Sequence, residues 1–296
     1  MKKRYINIIG ILVAAATMLL SGCMKQQATW VPVTVAFEPM IGHDTRAIES
    51  VPFPQENSFK VWAVKDSNSE LFIDGEEISY NGSSWESSQI WPFDVLNFEA
   101  FWPTDLPMEF SPSDGLQLRD FDCSEGNVDI LVARASEDMG NDGVTTLRFD
   151  HILSRVDFRM LHSLSEGMSV RLKKVTMVGF ASKGDYNTKI KHSWSTSSKD
   201  FSYVVYDAGE TDGIEIEAGT AKYISQEFYV IPQACTAAIE IAYEIRYGVS
   251  NWVPQTETIK TVETYWEPSK HYTYTLNLRM DKLTHTTGIS SWTNID

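Results

Sequence analysis

The chain predicts an all-β protein, and three observations carry that prediction. Apolar residues recur with period two along most of the length, Gly- and Asp-containing turn dipeptides separate the alternating runs, and no long stretch has helical spacing. Leu96, Phe98, Ala100 and Trp102 share one face of a segment whose other face carries Asn97 and Glu99. Ile152, Val156, Phe158 and Met160 alternate with Arg155, Asp157 and Arg159. Ala237, Ile239, Ile241, Tyr243, Ile245 and Tyr247 oppose Glu240, Glu244 and Arg246, and Tyr272, Tyr274, Leu276 and Leu278 oppose Thr273, Thr275 and Asn277. Such one-sided alternation belongs to antiparallel sheets packed face to face. Asp74-Gly75, Asn81-Gly82, Asp142-Gly143, Gly184-Asp185 and Asp212-Gly213 supply the turns between strands.

The first residues have a different character. Met1-Lys2-Lys3-Arg4 is a basic start, an apolar run from Ile6 to Leu20 follows, and Leu20-Ser21-Gly22-Cys23 closes it. This is the layout of a secretory signal peptide. The run falls short of the roughly 20 residues that a membrane-spanning helix needs. Cys23, directly after Ser-Gly, resembles the modified residue of a bacterial lipobox. Residues 1–22 are thus expected to be removed, leaving Cys23 with a diacylglyceryl group and further acyl (palmitoyl-type) chains. Each buried CH₂ contributes about 0.8 kcal/mol, so several chains anchor a protein firmly. Residues 24–29 read as a tether.

Removing residues 1–22 takes Lys2, Lys3 and Arg4 with it and moves the formal charge from −15 to −18. A surface this acidic repels phosphate backbones, which argues against nucleic acid as a partner. Beyond Cys23 only Cys123 and Cys235 remain; they can pair in an oxidising compartment or stand as two small buried residues. The length from Cys23 onward suits two domains of ordinary size. The polar stretch Ser163-Leu164-Ser165-Glu166-Gly167 is the natural division, giving domains at 47–165 and 166–296.

Trp30 to Phe37 forms a further alternating strand, with Val31, Val33, Val35 and Phe37 on one face. Pro32 lacks a backbone donor, which suits an edge strand. The polar stretch Gly42 to Ser50 follows and contains Arg46, a position open to a trypsin-like protease.

Several short stretches, taken in order, resemble the fimbrillin family, the subunits of type V pili in Bacteroidota. They are Thr45-Arg46-Ala47 after a strand and a lipobox, Phe59-Lys-Val-Trp-Ala63, Trp85, Ile90-Trp-Pro-Phe93 and Leu96-Asn-Phe-Glu-Ala-Phe-Trp-Pro103. Leu147 to Val156, Tyr229-Val-Ile-Pro-Gln233, Tyr272-Thr-Tyr-Thr-Leu276 and Ile289-Ser-Ser-Trp292 continue the series. The resemblance implies two transthyretin-like β-sandwiches in tandem and a lipidated precursor delivered to the outer membrane, ending in a surface fimbrium. It also implies an Arg-specific protease cutting between Arg46 and Ala47. The cut would release 23–46, the pro-segment holding the first strand.

A sandwich that loses a strand exposes unpaired N–H and C=O groups beside an apolar groove. A strand from a neighbouring copy can fill it, and a head-to-tail contact that does not close propagates as a filament. By resemblance the donor comes from the C-terminal end. Candidates are Tyr272, Tyr274, Leu276, Leu278, Ile289 and Trp292, although Tyr272–Leu278 also read as an ordinary strand of their own domain while Gly288–Asp296 leans to the donor role. The expected partners are other copies or related pilus subunits.

Other chemistry finds little purchase. The six histidines are scattered, and no zinc spacing, nucleophile elbow or phosphate-binding glycine loop is present, so neither enzyme activity nor a cofactor or metal is expected. The acidic turns at Asp138–Gly143 and Asp207–Gly213 lack the oxygen pattern of a calcium loop. Two readings compete with a cleaved subunit: an uncleaved pilus anchor, and a surface glycan-binding lipoprotein using some of the nine Trp, with Trp194 and Trp252 the best placed for exposure.

Overall fold

The structure is a computed structural model that describes residues 31–42, 50–140, 143–189, 193–260, 264–292 and 295. The expected signal peptide, Cys23, Trp30, Arg46 and Ala47 lie outside the described residues. Val33–Asp296 forms one compact unit.

Among the described residues every regular element is a strand. The chain begins with β1 (Thr34–Ile41), β2 (Val51–Pro52), β3 (Ser58–Lys65), β4 (Leu71–Ser79), β5 (Trp85–Ile90) and β6 (Leu96–Trp102). It continues through β7 (Glu109–Ser111), β8 (Gly115–Asp122), β9 (Leu131–Glu137), β10 (Val144–His151), β11 (Ser154–Ser163) and β12 (Met168–Phe180). Next come β13 (Lys183–Asn187), β14 (Ser193–Thr196), β15 (Phe201–Asp207), β16 (Ile214–Ile216), β17 (Lys222–Tyr223) and β18 (Phe228–Val230). The last are β19 (Ala234–Cys235), β20 (Ala238–Tyr247), β21 (Val253–Lys260), β22 (Thr264–Tyr265), β23 (Lys270–Arg279) and β24 (Leu283–Ser291).

The first half builds one large sheet in the order β2-β1-β10-β9-β6-β3-β4, with β5 also paired to β1. The second half builds a small ladder of β19 with β22 and two five-stranded sheets, β17-β11-β23-β24 and β15-β12-β20-β21, with β18 and β16 added to β11 and β12. Between them the inward faces bury Phe158, Tyr274, Trp266, Met177 and Ile239 in one core. Phe37, Phe59, Phe98 and Phe149 centre the core of the first half. A fourth sheet, β14-β13-β8-β7, takes strands from both halves. Beneath it lies a third apolar cluster containing Phe101, Leu116, Ile152, Tyr229, Ile231 and Trp292.

Two expectations change in detail. Antiparallel pairing predominates, but β1 lies parallel to β10 and β11 parallel to β23. Alternation reports which face of a strand is buried and carries no information about the direction of its neighbour. The change from first-half to second-half sheets also falls between His151 and Ser154, ahead of the polar stretch at 163–168. β11, expected to close the first half, pairs with β17, β18 and β23. Ile152 and Leu153, which make the crossing, are 1% and 0% exposed, so no polar linker marks it in the sequence. The Ser163–Gly167 loop instead carries the chain from one second-half sheet to the other.

Candidate functional site

β1 is built from alternation that the sequence partly conceals. Val35, Phe37 and Ile41 are buried, Val33 packs partly against the same core, and Pro39 continues the buried face. The strand therefore runs Thr34–Ile41, later than the Trp30–Phe37 span predicted, because Pro39 reads as a breaker. Val31 is 70% exposed and precedes it.

Pro32 stands outside the strand, and β1 is internal rather than an edge. On one side Ala36 and Gly42 donate to the carbonyls of Gly143 and Phe149 flanking and within β10. Even-numbered donors thus face β10, and odd-numbered ones face β5 and β2. Pro39, an odd position, has no donor to offer, but its carbonyl accepts from Phe53. The missing N–H falls between the last β5 pair, Phe37 with Trp85, and the first β2 pair, Met40 with Pro52. A proline is tolerated there because no partner strand requires its hydrogen.

The bed of β1 is aromatic. Phe37 meets Phe59 and Phe98 edge-on at centroid distances of 5.8 and 5.6 Å. At the entry end Trp91 Nε1 donates to Gly143 O at 2.8 Å. Gly143 has φ +71°, and a Cβ there would stand 2.4 Å from Val33 Cγ1, so glycine is what lets β1 approach. Burying three large apolar side chains at about 1.5–3 kcal/mol each gives β1 on the order of 5–9 kcal/mol of hydrophobic attachment. The residues between Gly42 and Ser50, where Arg46 falls, are the covalent link from β1 to β2; Ser50 Oγ donates to Gly42 O at 3.3 Å.

At the other end of the chain, Tyr272, Tyr274, Leu276 and Leu278 are at most 2% exposed in the second-half core. They belong to β23, held between β11 and β24. Of the two readings left open for these four residues, donor or ordinary strand of their own domain, withdrawal as a donor would take the centre of that core with it. β24 is different. Among the described residues it pairs with β23 alone, from Leu278–Leu283 to Lys270–Ser291, and residues 286–291 are exposed on both faces; Ile289 is 59% exposed. Trp292, just after it, is 4% exposed. Its indole stacks on His151 and on Tyr229, with centroids 3.6 and 5.2 Å away, and the backbone N–H of Trp292 donates to Ser269 O at 3.2 Å. Ile295 packs against the first-half core.

Two histidine–carboxylate pairs flank this segment, one buried and one partly buried. His151 Nδ1 lies 3.0 Å from Asp129 Oδ1, and His271 Nε2 lies 2.8 Å from Asp157 Oδ2. Asp157, Glu227 and His271 each bring one ligand atom within 4.8 Å of the others. Asp157 is engaged by His271, however, and Glu227 by Arg155, so the group resolves into a histidine–carboxylate contact and an adjoining ion pair. The two acidic turns also satisfy themselves: Asp138 Oδ1 accepts from Gly140 N, and Asp207 Oδ1 from Gly209 N. Cys123 is a buried free thiol, pushed up to about 11 by desolvation.

Neither candidate sugar platform is an open ring. Trp194 is partly buried and donates from Nε1 to Ile152 O at 2.8 Å, with Phe121 and Tyr186 beside it. Trp252 is half-buried against the guanidinium groups of Arg171 and Arg246, 4.5 and 4.3 Å from its centroid.

The chain is thus an all-β assembly of packed sheets, and comparison with known proteins identifies the family it belongs to. A model of the family described as fimbrillin-like matches residues 45–292. The chain belongs to the fimbrillin-like family. Comparison with curated protein sequences finds no match. Among solved structures it is similar to a fimbrial protein from Bacteroides vulgatus, with TM-score 0.63 and 15% identity over 88% of this chain and 99% of that one. A candidate cell adhesion protein from Bacteroides ovatus has TM-score 0.56 and 13% identity, over 90% and 100% of the two chains. Another, from Parabacteroides distasonis, has TM-score 0.57 and 12% identity, over 88% and 97%. At these identities the likeness concerns the fold.

Proposed function

We propose that this chain is the lipid-anchored precursor of a pilus subunit, matured by cleavage after Arg46 and assembled by strand exchange between copies or related subunits. The observation that carries the reading is the position of β1: an internal strand with a buried apolar face, joined to the rest of the large sheet through the segment that holds Arg46. Lipid on Cys23 would keep the precursor at the outer membrane. An Arg-specific protease would then free the N-terminus at Ala47.

Cleavage alone does not eject β1, since its hydrophobic attachment and ladder remain. It turns β1 into a replaceable ligand. Its departure would leave β10 on one side, β5 and β2 on the other, and pockets for Val35, Phe37 and Ile41 between them. A donor strand competes by offering the same main-chain hydrogen bonds and side chains of matching spacing. The donor that fits best is β24 with the residues after it, because that strand gives up one partner and little core on leaving. Leu283, which is buried in the second-half core, and Ile289, Trp292 and Ile295 are its large apolar side chains.

Mass spectrometry of the protein from its native surface tests the reading directly. A chain beginning at Ala47 is the expected result. A triacylated Cys23 at the start would instead identify an uncleaved anchor subunit. Deleting residues 288–296 should leave a folded, cleavable chain that stays monomeric; normal filaments from that truncation would overturn the donor assignment.

A further inference from the structure

The outward face of the large sheet changes character along its strands. At one end Trp62, Phe101 and Val132 are covered by the β7–β8 arm and join the third apolar cluster. One step along, the same face carries Glu99 beside Arg134, and then Asn97 beside Ser136. The arm does not cover this polar end, and a cavity of about 470 Å³ remains, bounded by Phe110 and Pro112 of the arm and by Lys189 from the second half. This lies within the usual size of small-ligand sites, which favour junctions of this kind.

The cavity has a rigid base. Glu99, 7% exposed, accepts through Oε2 from Leu116 N at 2.8 Å and from Thr188 Oγ1 at 2.6 Å. Gly115 makes this node possible: at φ +71° a Cβ would meet Thr188 Oγ1 at 2.4 Å and Glu99 at 3.0 Å. The node orients Arg134, whose Nη1 donates to Thr188 O at 3.1 Å and whose Nε stands 3.6 Å from Glu99 Oε1. The arginine side chain is nevertheless 54% exposed, which leaves part of its donor fork facing the cavity. Lys189 adds a second cation with no ion-pair partner among the described residues. Asn97 spends its amide N–H on Asp66 Oδ1 at 3.0 Å, leaving its carbonyl as an acceptor. Phe110 is half-buried, stacked on Trp62 at 5.7 Å.

We propose that this cavity binds an acidic sugar unit, a hexuronate of an extracellular polysaccharide. Lys65 and Asp66 also line the cavity, but Lys65 is paired with Glu70 and Asp66 accepts from Asn97, so a bare anion would need only Arg134 and Lys189. The amide and hydroxyl acceptors of Asn97 and Ser136 suit ring hydroxyls, and the edge of Phe110 with Pro112 suits the apolar face of a pyranose. The strongly negative chain repels densely charged polymers, which restricts the ligand to a sparsely charged glycan. The proposal is independent of strand exchange, because no cavity residue lies on β1 or β24.

The test is titration calorimetry of the whole chain with a tetrasaccharide of alternating glucuronate and N-acetylglucosamine. The comparison ligand is the same tetrasaccharide with its carboxyl groups reduced to alcohols. Saturable binding that weakens with salt, and falls about tenfold or more for the reduced ligand, is expected. Lys189→Gln, at an exposed position, should weaken binding while leaving the melting temperature unchanged. Arg134→Lys keeps the charge but loses the fork and should also weaken it. Absence of saturable binding, equal affinity for the reduced ligand, or full affinity in Lys189→Gln would each overturn the proposal.

Discussion

The indole of Trp292 lies on the imidazole of His151, with ring centroids 3.6 Å apart and planes 21° from parallel. His151 ends β10, the strand that forms the parallel partner of β1, and Trp292 follows β24. Trp292 is thus seated on the far end of the strand that carries β1, in the third apolar cluster, while the side chains of β1 lie in the first-half core. A C-terminal donor has to lift Trp292 from this seat before it can serve a neighbour.

Trp292→Ala should therefore act in two directions. Removing the buried indole leaves a cavity between His151 and Tyr229 and costs about 3–5 kcal/mol of stability, measurable by urea unfolding. In protein cut after Arg46, release of β24 should be faster, and heat-resistant ladders on denaturing gels should appear sooner or, if Trp292 is itself a docking side chain, not lengthen. Ladders of unchanged rate and length would show that Trp292 takes no part in assembly.

Phe37→Ala tests the attachment of β1. The ring sits among Phe59 and Phe98, so its loss should destabilise the uncut chain by about 3–5 kcal/mol. After the cut the same loss should be felt as dissociation of the 23–46 peptide, followed by size-exclusion chromatography. Retention of the peptide for as long as in the wild-type chain would place the attachment elsewhere.

His285 on β24 and His162 on β11 give the second half a pH dependence of definite sign. Burial lowers both below the ordinary histidine value of 6.5, so the folded state takes up their protons less readily than the unfolded chain. The stability contributed by their neutral forms is complete above that value and is lost as pH falls through the lowered folded-state pKa. Thermal unfolding compared at about pH 7.5 and about pH 5 should show a fall, smaller in His285→Gln, which cannot be protonated. An identical fall in that variant would assign the effect to other groups.

Cys123 should be inert in the native chain. With its thiol pushed up to about 11 and its side chain buried, roughly a thousandth is thiolate near pH 8. Iodoacetamide should label it only on unfolding. Rapid labelling of native protein would show that the cover over Cys123 opens readily.

Much of the architecture was legible in the chain, since period-two alternation follows directly from strand geometry. β6, β20 and β23 each bury the face that the sequence marks as apolar, except that Tyr247 at the end of β20 is 67% exposed, and Ile289 and Trp292 stand out near the C-terminus by composition alone. What the sequence determined is therefore local: which segments are strands and which face of each is apolar. The tertiary structure decided the rest, because neighbours in a sheet are chosen by contacts between residues far apart in the chain. It placed β1 inside a sheet beside β10, moved β11 into the second half, and put Tyr272–Leu278 at the centre of a core and β24 at an edge. It also set Arg134 and Lys189 on one cavity, a juxtaposition that no spacing in the sequence could express.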